Sequence, residues 1–477
     1  MRARRLQWFA AGAALVVIHC LLLALSRAFD PNAPLLTYPV VSVVALEMLA
    51  AALYLSLAWL IPRSRAEPGL LVLVLVVGIV IRALGVFSTP VLEDDYYRYL
   101  WDGAVVVGGH DPYRYSPAEV LHAGHGANAD AELAALAALA ADGDGVVARI
   151  NYPRLSSVYP PLAQAGFALG ALVERFSLVA WRLVLLLFEA MTVALLYLIL
   201  RRLDRSALWL ALYLWNPLLV KELVNSAHMD ALLLPFLVAV LLLALEAREV
   251  LASLLLALAA GIKLWPVLLL PTVLRPLLAE PRRLCAAVAV FAAGFAGTAW
   301  WLWGHAGAET GLGAYALGWE MNDGFFLVLH WLVAQGLAIL KLEWTSSAAV
   351  ARALVATGIV WLAFAVNARA ARDPEEISER FLMVTAAVFL LAPAEFPWYY
   401  TWLVPFLVLV PSPALLSLTA LLPLYYLRFY LDFRGQAQYF DYGMVWLEYL
   451  PVWILLAWAW WRPAHPGGRV RLAPDHP

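Results

Sequence analysis

Residues 69–102 read GLLVLVLVVGIVIRALGVFSTPVLEDDYYRYLWD. An apolar run of about twenty residues, enough to cross a bilayer as a helix, ends in three consecutive acids and a belt of aromatics. That junction decides the fold class, because runs of the same kind recur along the chain. Of 477 residues, 64% are hydrophobic and only 14% charged, and the mean hydropathy is +0.79. A soluble chain of this length carries about a quarter charged residues and breaks its apolar positions into shorter amphipathic periods. The expected class is therefore an all-α polytopic membrane protein. A net charge of −2 leaves no electrostatic footprint for nucleic acid. Cys20 and Cys285 both fall in apolar segments and read as small buried hydrophobes, not as a disulfide.

Basic clusters set the topology, since Lys and Arg concentrate on cytoplasmic loops. Arg2, Arg4 and Arg5 put the N-terminus inside, and the apolar segment after them, too long in its core for a signal peptide and closely followed by more spans, reads as a retained span. Arg63 and Arg65 follow a second span near 40–61, and the third, near 69–88, then delivers Glu93, Asp94 and Asp95 to the outer face. The polar stretch 89–157 is a large first outer loop, with a short helix in DAELAALAALAADGDG ended by Gly143. A proline-opened apolar helix after SSVY reads as re-entrant, which keeps Arg201, Arg202 and Arg205 inside. Spans follow near 178–200, 206–223 and 229–246. Two half-helices meeting at GIKLWP keep Arg275, Arg282 and Arg283 inside, an arrangement tolerated where free backbone groups line a cavity.

After a span near 284–304, GFFLVLHWLVAQGLAILKLEW reads as an interfacial helix. Further spans near 347–368, 380–393, 398–410, 414–430 and 443–461 leave Arg462, Arg469 and Arg471 inside. The expectation is about 12 transmembrane helices, with both termini cytoplasmic, in the plasma (cell inner) membrane. One membrane-embedded domain spans 1–477: three spans over 1–88, the outer loop over 89–157, core spans with re-entrant elements over 158–410, and C-terminal spans and a tail over 411–477.

Asp94 and Asp95 are the first candidates for chemistry. Acids can simply mark the water side of a boundary, but adjacent carboxylates repel, and one polar residue would suffice. Partial burial raises one pKa and suits a general base for a hydroxyl acceptor. A divalent cation held by the pair is the second reading, with no further ligands spaced to complete a shell. Arg98 and Asp102, like Tyr97 and Trp101, are i, i+4 pairs on a helix, where aromatics suit a sugar face. GGHDPYRYSP exposes Tyr113 and Arg114 between turn residues, the arginine being suited to phosphate. NSAHMDALLLP puts Asn225, His228 and Asp230 at membrane depth, where polar groups face cavities; Asn225 also suits a cap. Lys263, with a long apolar run before it, either snorkels or reaches a lipid-linked phosphate. Glu395 and Trp398 sit in the proline-bounded aromatic run PAEFPWYYTWLVP. No Walker A loop, dinucleotide fingerprint, Cys/His metal spacing or nucleophile elbow occurs.

EDDYYRYLWDG, GGHDPYRYSP, VYPPLAQ, WNPLLVKELVNSAHMDALLLP, GIKLWPVLLLP, WEMNDGFF and FPWYYTWLVP, in this order, resemble the GT-C superfamily of membrane glycosyltransferases. The likeness is to bacterial polyprenol-phosphate-mannose-dependent mannosyltransferases of the glycosyltransferase family 87 type, over roughly residues 85–410. The resemblance implies transfer of a sugar, mannose, from a polyprenyl-phosphate donor to a glycan or lipid acceptor at the outer face, with inversion. It assigns the base to Asp94, with Asp95 as partner, in a catalytic outer loop. It also implies that Lys263, Arg98 and Arg114 bind the carrier phosphate and that His228, Asp230 and Trp398 line the pocket. Metal use varies across the superfamily. The rival from another class is a transporter or flippase of lipid-linked sugars, in which the same cations bind phosphate and no bond is made.

Overall fold

The computed structural model describes residues 2–64, 67–123, 130–305, 307, 310–342 and 344–461. Arg65 and the basic tail residues Arg462, Arg469 and Arg471, used above to orient the chain, lie outside the described residues. The described chain is all-helical; its single bridge outside the helices pairs Met321 with Ala394. Eight helices are long and apolar enough to cross a membrane, and nine when the bent pair Ala207–Leu214 and Pro217–Asn225 counts as one span. The protein is an integral membrane protein.

Twelve crossings are thus not reproduced, and the difference has a local cause. The expected span near 206–223 bends by 51°. Met229–Leu245 is a shorter apolar helix. Pro374–Leu391 opens on Glu375 and Glu376, and the stretch after it breaks into Pro397–Tyr400 and Val404–Leu409. Proline at the first turn of each of these two pieces starts a new helix where a straight one would have continued.

Three N-terminal helices, α1 (Arg2–Ser26), α2 (Val40–Leu60) and α3 (Pro68–Val86), pack on the broken 207–225 segment. Trp215 Nε1 donates to Val74 O at 2.9 Å, and Tyr54 OH to Leu212 O at 2.9 Å. A Cβ on Gly78 would meet Leu214 Cβ at 2.9 Å, so this face of α3 needs glycine for the backbones to approach. Cys20 and Cys285, expected to be buried, are free thiols on exposed positions. Their helices turn them outward with the apolar surface that carries Trp300, Trp303 and Trp361, which in a membrane meets lipid instead of water.

The helix expected in the 89–157 stretch covers Ala131–Asp142, capped by Asp130, whose carboxylate accepts from Leu133 N at 2.8 Å, and it ends at Gly143 as its sequence predicts. Pro161–Val173 is the expected proline-opened helix. Glu249–Ile262 ends at Lys263, and a second helical stretch restarts at Trp265, as the GIKLWP reading requires. Phe325–Ile339, the expected interfacial segment, is a separate helix of 15 residues.

Candidate active site

The acids begin where α3 ends. Asn225 holds this junction: its Oδ1 accepts from Val91 N at 3.0 Å, and its Nδ2 donates to Ser88 Oγ and Thr89 O, each at 2.7 Å. Leu92 takes φ +63°, uncommon for a branched apolar residue, and so redirects the chain just before Glu93. Asp94 then sits at the N-cap of α4 (Asp95–Val107), with Asp95 in its first turn. The partial positive charge of that helix end favours carboxylates there.

One side chain joins the pair. Asn151 Nδ2, far along the 89–157 stretch, donates to Asp94 Oδ1 at 2.8 Å and to Asp95 Oδ1 at 2.9 Å. Tyr99 OH reaches Asp95 Oδ2 at 3.4 Å. The low-dielectric wall and the charge of Asp95 push the Asp94 carboxyl up to about 6, the Asn151 bond partly opposing them. Burial likewise raises Glu93 and Asp95 above the usual carboxylate range.

These acids line a cavity of about 700 Å³. The same cavity is lined by Lys263, Arg98 and Arg428, with Trp398, Tyr399 and Trp402 forming much of an aromatic wall. Lys263 Nζ pairs with Asp230 Oδ1 at 2.7 Å and lies 4.1 Å from the Tyr399 ring and 4.7 Å from that of Trp402. Trp402 Nε1 donates to the same Asp230 oxygen at 2.6 Å. The break at Lys263 thus leaves its ammonium at the cavity, beside Asp230. Trp398 is sandwiched, with Phe396 stacked at 4.3 Å on one side and His228 at 4.1 Å on the other. Cationic groups and two carboxylates lining one aromatic-walled space suit binding of an anionic ligand together with a polar one.

Asp94, Asp95, Arg98, Lys263 and Trp398 therefore meet at one cavity, and His228 and Asp230 sit directly behind its wall. The other candidates lie elsewhere. Tyr97 is packed on Tyr96 at 4.2 Å, and Trp101 is buried in the core. Asp102 accepts from Ser157 Oγ and Gln164 Nε2, at 2.5 and 3.0 Å, and has no ion pair with Arg98 among the described residues. Arg98 instead donates to Leu155 O at 3.1 Å. Tyr113 OH donates to Tyr159 O at 2.8 Å, one residue behind the lining. Arg114 is half exposed and pairs with Asp130 and Glu132 on the loop surface. Asn225 braces the acid junction, and Glu395 is fully buried beside the bridge of Met321 to Ala394.

Sequence reading passed over Asn151, Arg428, and the buried neighbours Lys221, Glu222 and Tyr426. Lys221 Nζ donates to Ser226 Oγ at 2.6 Å and Tyr426 OH at 2.9 Å, and Tyr426 OH donates to Glu222 Oε1 at 2.7 Å. Adjacent charges inside LLVKELV carry the same signal that singled out Lys263. Among the described residues, no group of three or more His, Cys, Asp and Glu is arranged to hold a metal ion.

No curated protein and no solved structure is significantly similar to the chain. Residues 157–280 match the MptA_B family, described as alpha-(1->6)-mannopyranosyltransferase, N-terminal domain. That stretch holds Lys221, Glu222, His228, Asp230 and Lys263, while the acids at 93–95 precede it. Over this segment the chain is similar to a mannosyltransferase family, a family of glycosyltransferases.

Proposed function

We propose that the protein transfers mannose from a polyprenyl-phosphate donor to an acceptor hydroxyl at the outer face of the plasma membrane, with inversion, Asp94 serving as general base beside Asp95. One observation carries the reading: the Asn151-bridged carboxylate pair and the ammonium of Lys263 line the same cavity. The acceptor oxygen attacks the anomeric carbon on the side opposite the phosphate. As that bond forms, the hydroxyl proton passes to Asp94, and the sugar–phosphate bond breaks with its electron pair going to the phosphate oxygen. Cations prearranged in a dry wall stabilise the growing phosphate charge, a role that falls to Lys263 with Arg98 and Arg428 nearby. Asp94 is the more open of the two acids, and its raised pKa makes it a stronger base than an ordinary aspartate.

A transporter reading needs the same cations but no bond-making carboxylates, and the family match to mannosyltransferases favours the enzyme. The test uses purified protein in lipid nanodiscs with radiolabelled polyprenyl-phosphate mannose and a glycan or lipid acceptor. Asp94→Asn and Asp95→Asn, singly and together, should abolish formation of the glycosidic bond. Unchanged turnover in all three variants overturns the assignment.

A further inference from the structure

Behind the carboxylate pair, the wall contains an imidazole and a carboxylate that the reaction above does not use. His228 is fully buried, and neither ring nitrogen has a hydrogen-bond partner. Stacking on Trp398 at 16° fixes the ring plane. Its Nδ1 then lies 3.8 Å from Asp95 Oδ2, and its Nε2 lies 3.6 Å from Glu222 Oε2 and 4.0 Å from Glu93 Oε2. Glu222 Oε2 is buried and unpartnered too, whereas Oε1 accepts from Tyr426 OH. A backbone bond from His228 N to Glu222 O, at 3.0 Å, ties the two residues together across a π-helical turn, Val220–Asn225. Turns of this kind are frequent at functional sites.

We propose that His228 and Glu222 form a proton store behind the carboxylate pair, taking the acceptor's proton during transfer and returning it after product release. The proposal rests on the general-base reading above. When substrates fill the cavity, the pair needs a neighbour that can accept. Asn151 Nδ2 and Tyr99 OH reach the carboxylates as donors, so His228 Nδ1 is the acceptor at hand among the described residues. The three gaps exceed a hydrogen bond by less than about 1 Å, and such contacts tighten in a substrate complex.

The proton balance is simple. The hydroxyl proton goes to the carboxylate pair, which passes one proton to His228 Nδ1, while His228 Nε2 hands its own to Glu222 Oε2. The imidazole ends neutral in its other tautomer, the pair regains its charge, and Glu222 is protonated. Return runs the same steps backward into cavity water. Among the described residues, Lys221, Tyr425, Tyr426, Glu47, Glu93, Asp230 and Lys263 are charged or titratable groups that face this unit.

The experiment measures single-turnover rate, donor KM, pH profile and solvent deuterium isotope effect in nanodiscs with polyprenyl-phosphate mannose. Glu222→Gln keeps the shape and the Tyr426 bond. It should lower the rate by at least about tenfold, leave donor KM nearly unchanged and alter both the isotope effect and the profile. Glu222→Asp should restore part of the rate. Should Glu222→Gln fail to fold, Tyr426→Phe, which removes the donor to Oε1 and makes Glu222 more basic, should shift the profile. An unshifted profile and isotope effect in whichever variant folds overturns the store. Asp94→Asn and Asp95→Asn tell its failure from that of the parent reading: full turnover in both sinks the base itself, whereas dead aspartate variants beside a normal Glu222→Gln sink the store alone.

Discussion

Two of the buried ionic clusters among the described residues are finished differently. Inside the bundle, Arg82 gives Nε to both oxygens of Glu189 at 3.2 and 3.1 Å, Nη2 to one of them at 2.8 Å, and Nη1 to Leu214 O at 2.7 Å. Nearby, Arg182 Nη1 donates to Val86 O at 2.7 Å and Ser88 O at 2.8 Å, while Nη2 donates to Asn225 O. At the cavity wall, by contrast, Glu93 Oε1, Glu222 Oε2, Asp230 Oδ2 and both nitrogens of His228 have no partner. Leaving a buried polar group unpaired costs about 1–3 kcal/mol, more for a charge, so the wall is expensive where the bundle pair is not. Arg182 Nε is an unpartnered atom of the bundle cluster, whereas five such atoms gather at and behind the cavity wall.

The sharpest way to break that contrast is to neutralise the cavity acids. Asp94→Asn with Asp95→Asn should cut mannosyl transfer by about 10³-fold or more while the helical circular dichroism stays unchanged. Removing a bundle partner should do the reverse. Arg82→Met leaves Glu189 buried and alone, and should cost about 3–5 kcal/mol of stability, read as a lowered unfolding temperature in detergent. Arg82→Met with Glu189→Leu should recover most of that loss. If the double variant were as unstable as the single one, the pair would contribute more than mutual compensation.

Lys263 stands between the two kinds of cluster, paired with Asp230 yet open to the cavity. Lys263→Gln should raise donor KM and lower kcat together, by about tenfold overall, because the lost charge acts on donor and leaving group alike. A large loss of stability with normal KM would return Lys263 to the architectural class.

The pH dependence reaches a similar size only a full unit below the Asp94 value and is smaller nearer to it. Asp94, pushed up to about 6, must be ionised to take a proton, so turnover should be flat above that value and fall as pH drops through it. One unit below, the loss should approach about tenfold, and any residual activity of Asp94→Asn should lack this limb. A wild-type profile flat down to pH 4 would place the base elsewhere.

How much of this was legible depends on the kind of signal. Apolar runs and basic clusters carry the class of fold, and Gly143 and the break at Lys263 are local events that glycine and a lone charge announce. Span count was not legible, because a proline at a first turn can either start a span or split one. Helical period separates some site residues: Asp95 and Arg98, three apart, line the cavity, whereas Tyr97 and Trp101 share a different face. Asn151 could not be found this way, since its bond to the acids closes a loop of more than fifty residues. Lys221 and Glu222 were visible as charges in an apolar run, but a π-turn, which the 3.6 period does not contain, points them inward.

The smallest effect is expected at Arg114, chosen for its chemistry in a turn between glycines and prolines. Its guanidinium lies on the loop surface with Asp130 and Glu132, and Asp130 meanwhile caps the next helix and accepts from Tyr115 OH. Exposed ion pairs of this sort hold loops weakly. Arg114→Ala should leave donor KM and kcat within about twofold of wild type, since a charge this exposed is screened by solvent. A donor KM raised as far as in Lys263→Gln would mean that the loop folds its arginine over the cavity during turnover, and that the surface cluster belongs with the orphaned wall.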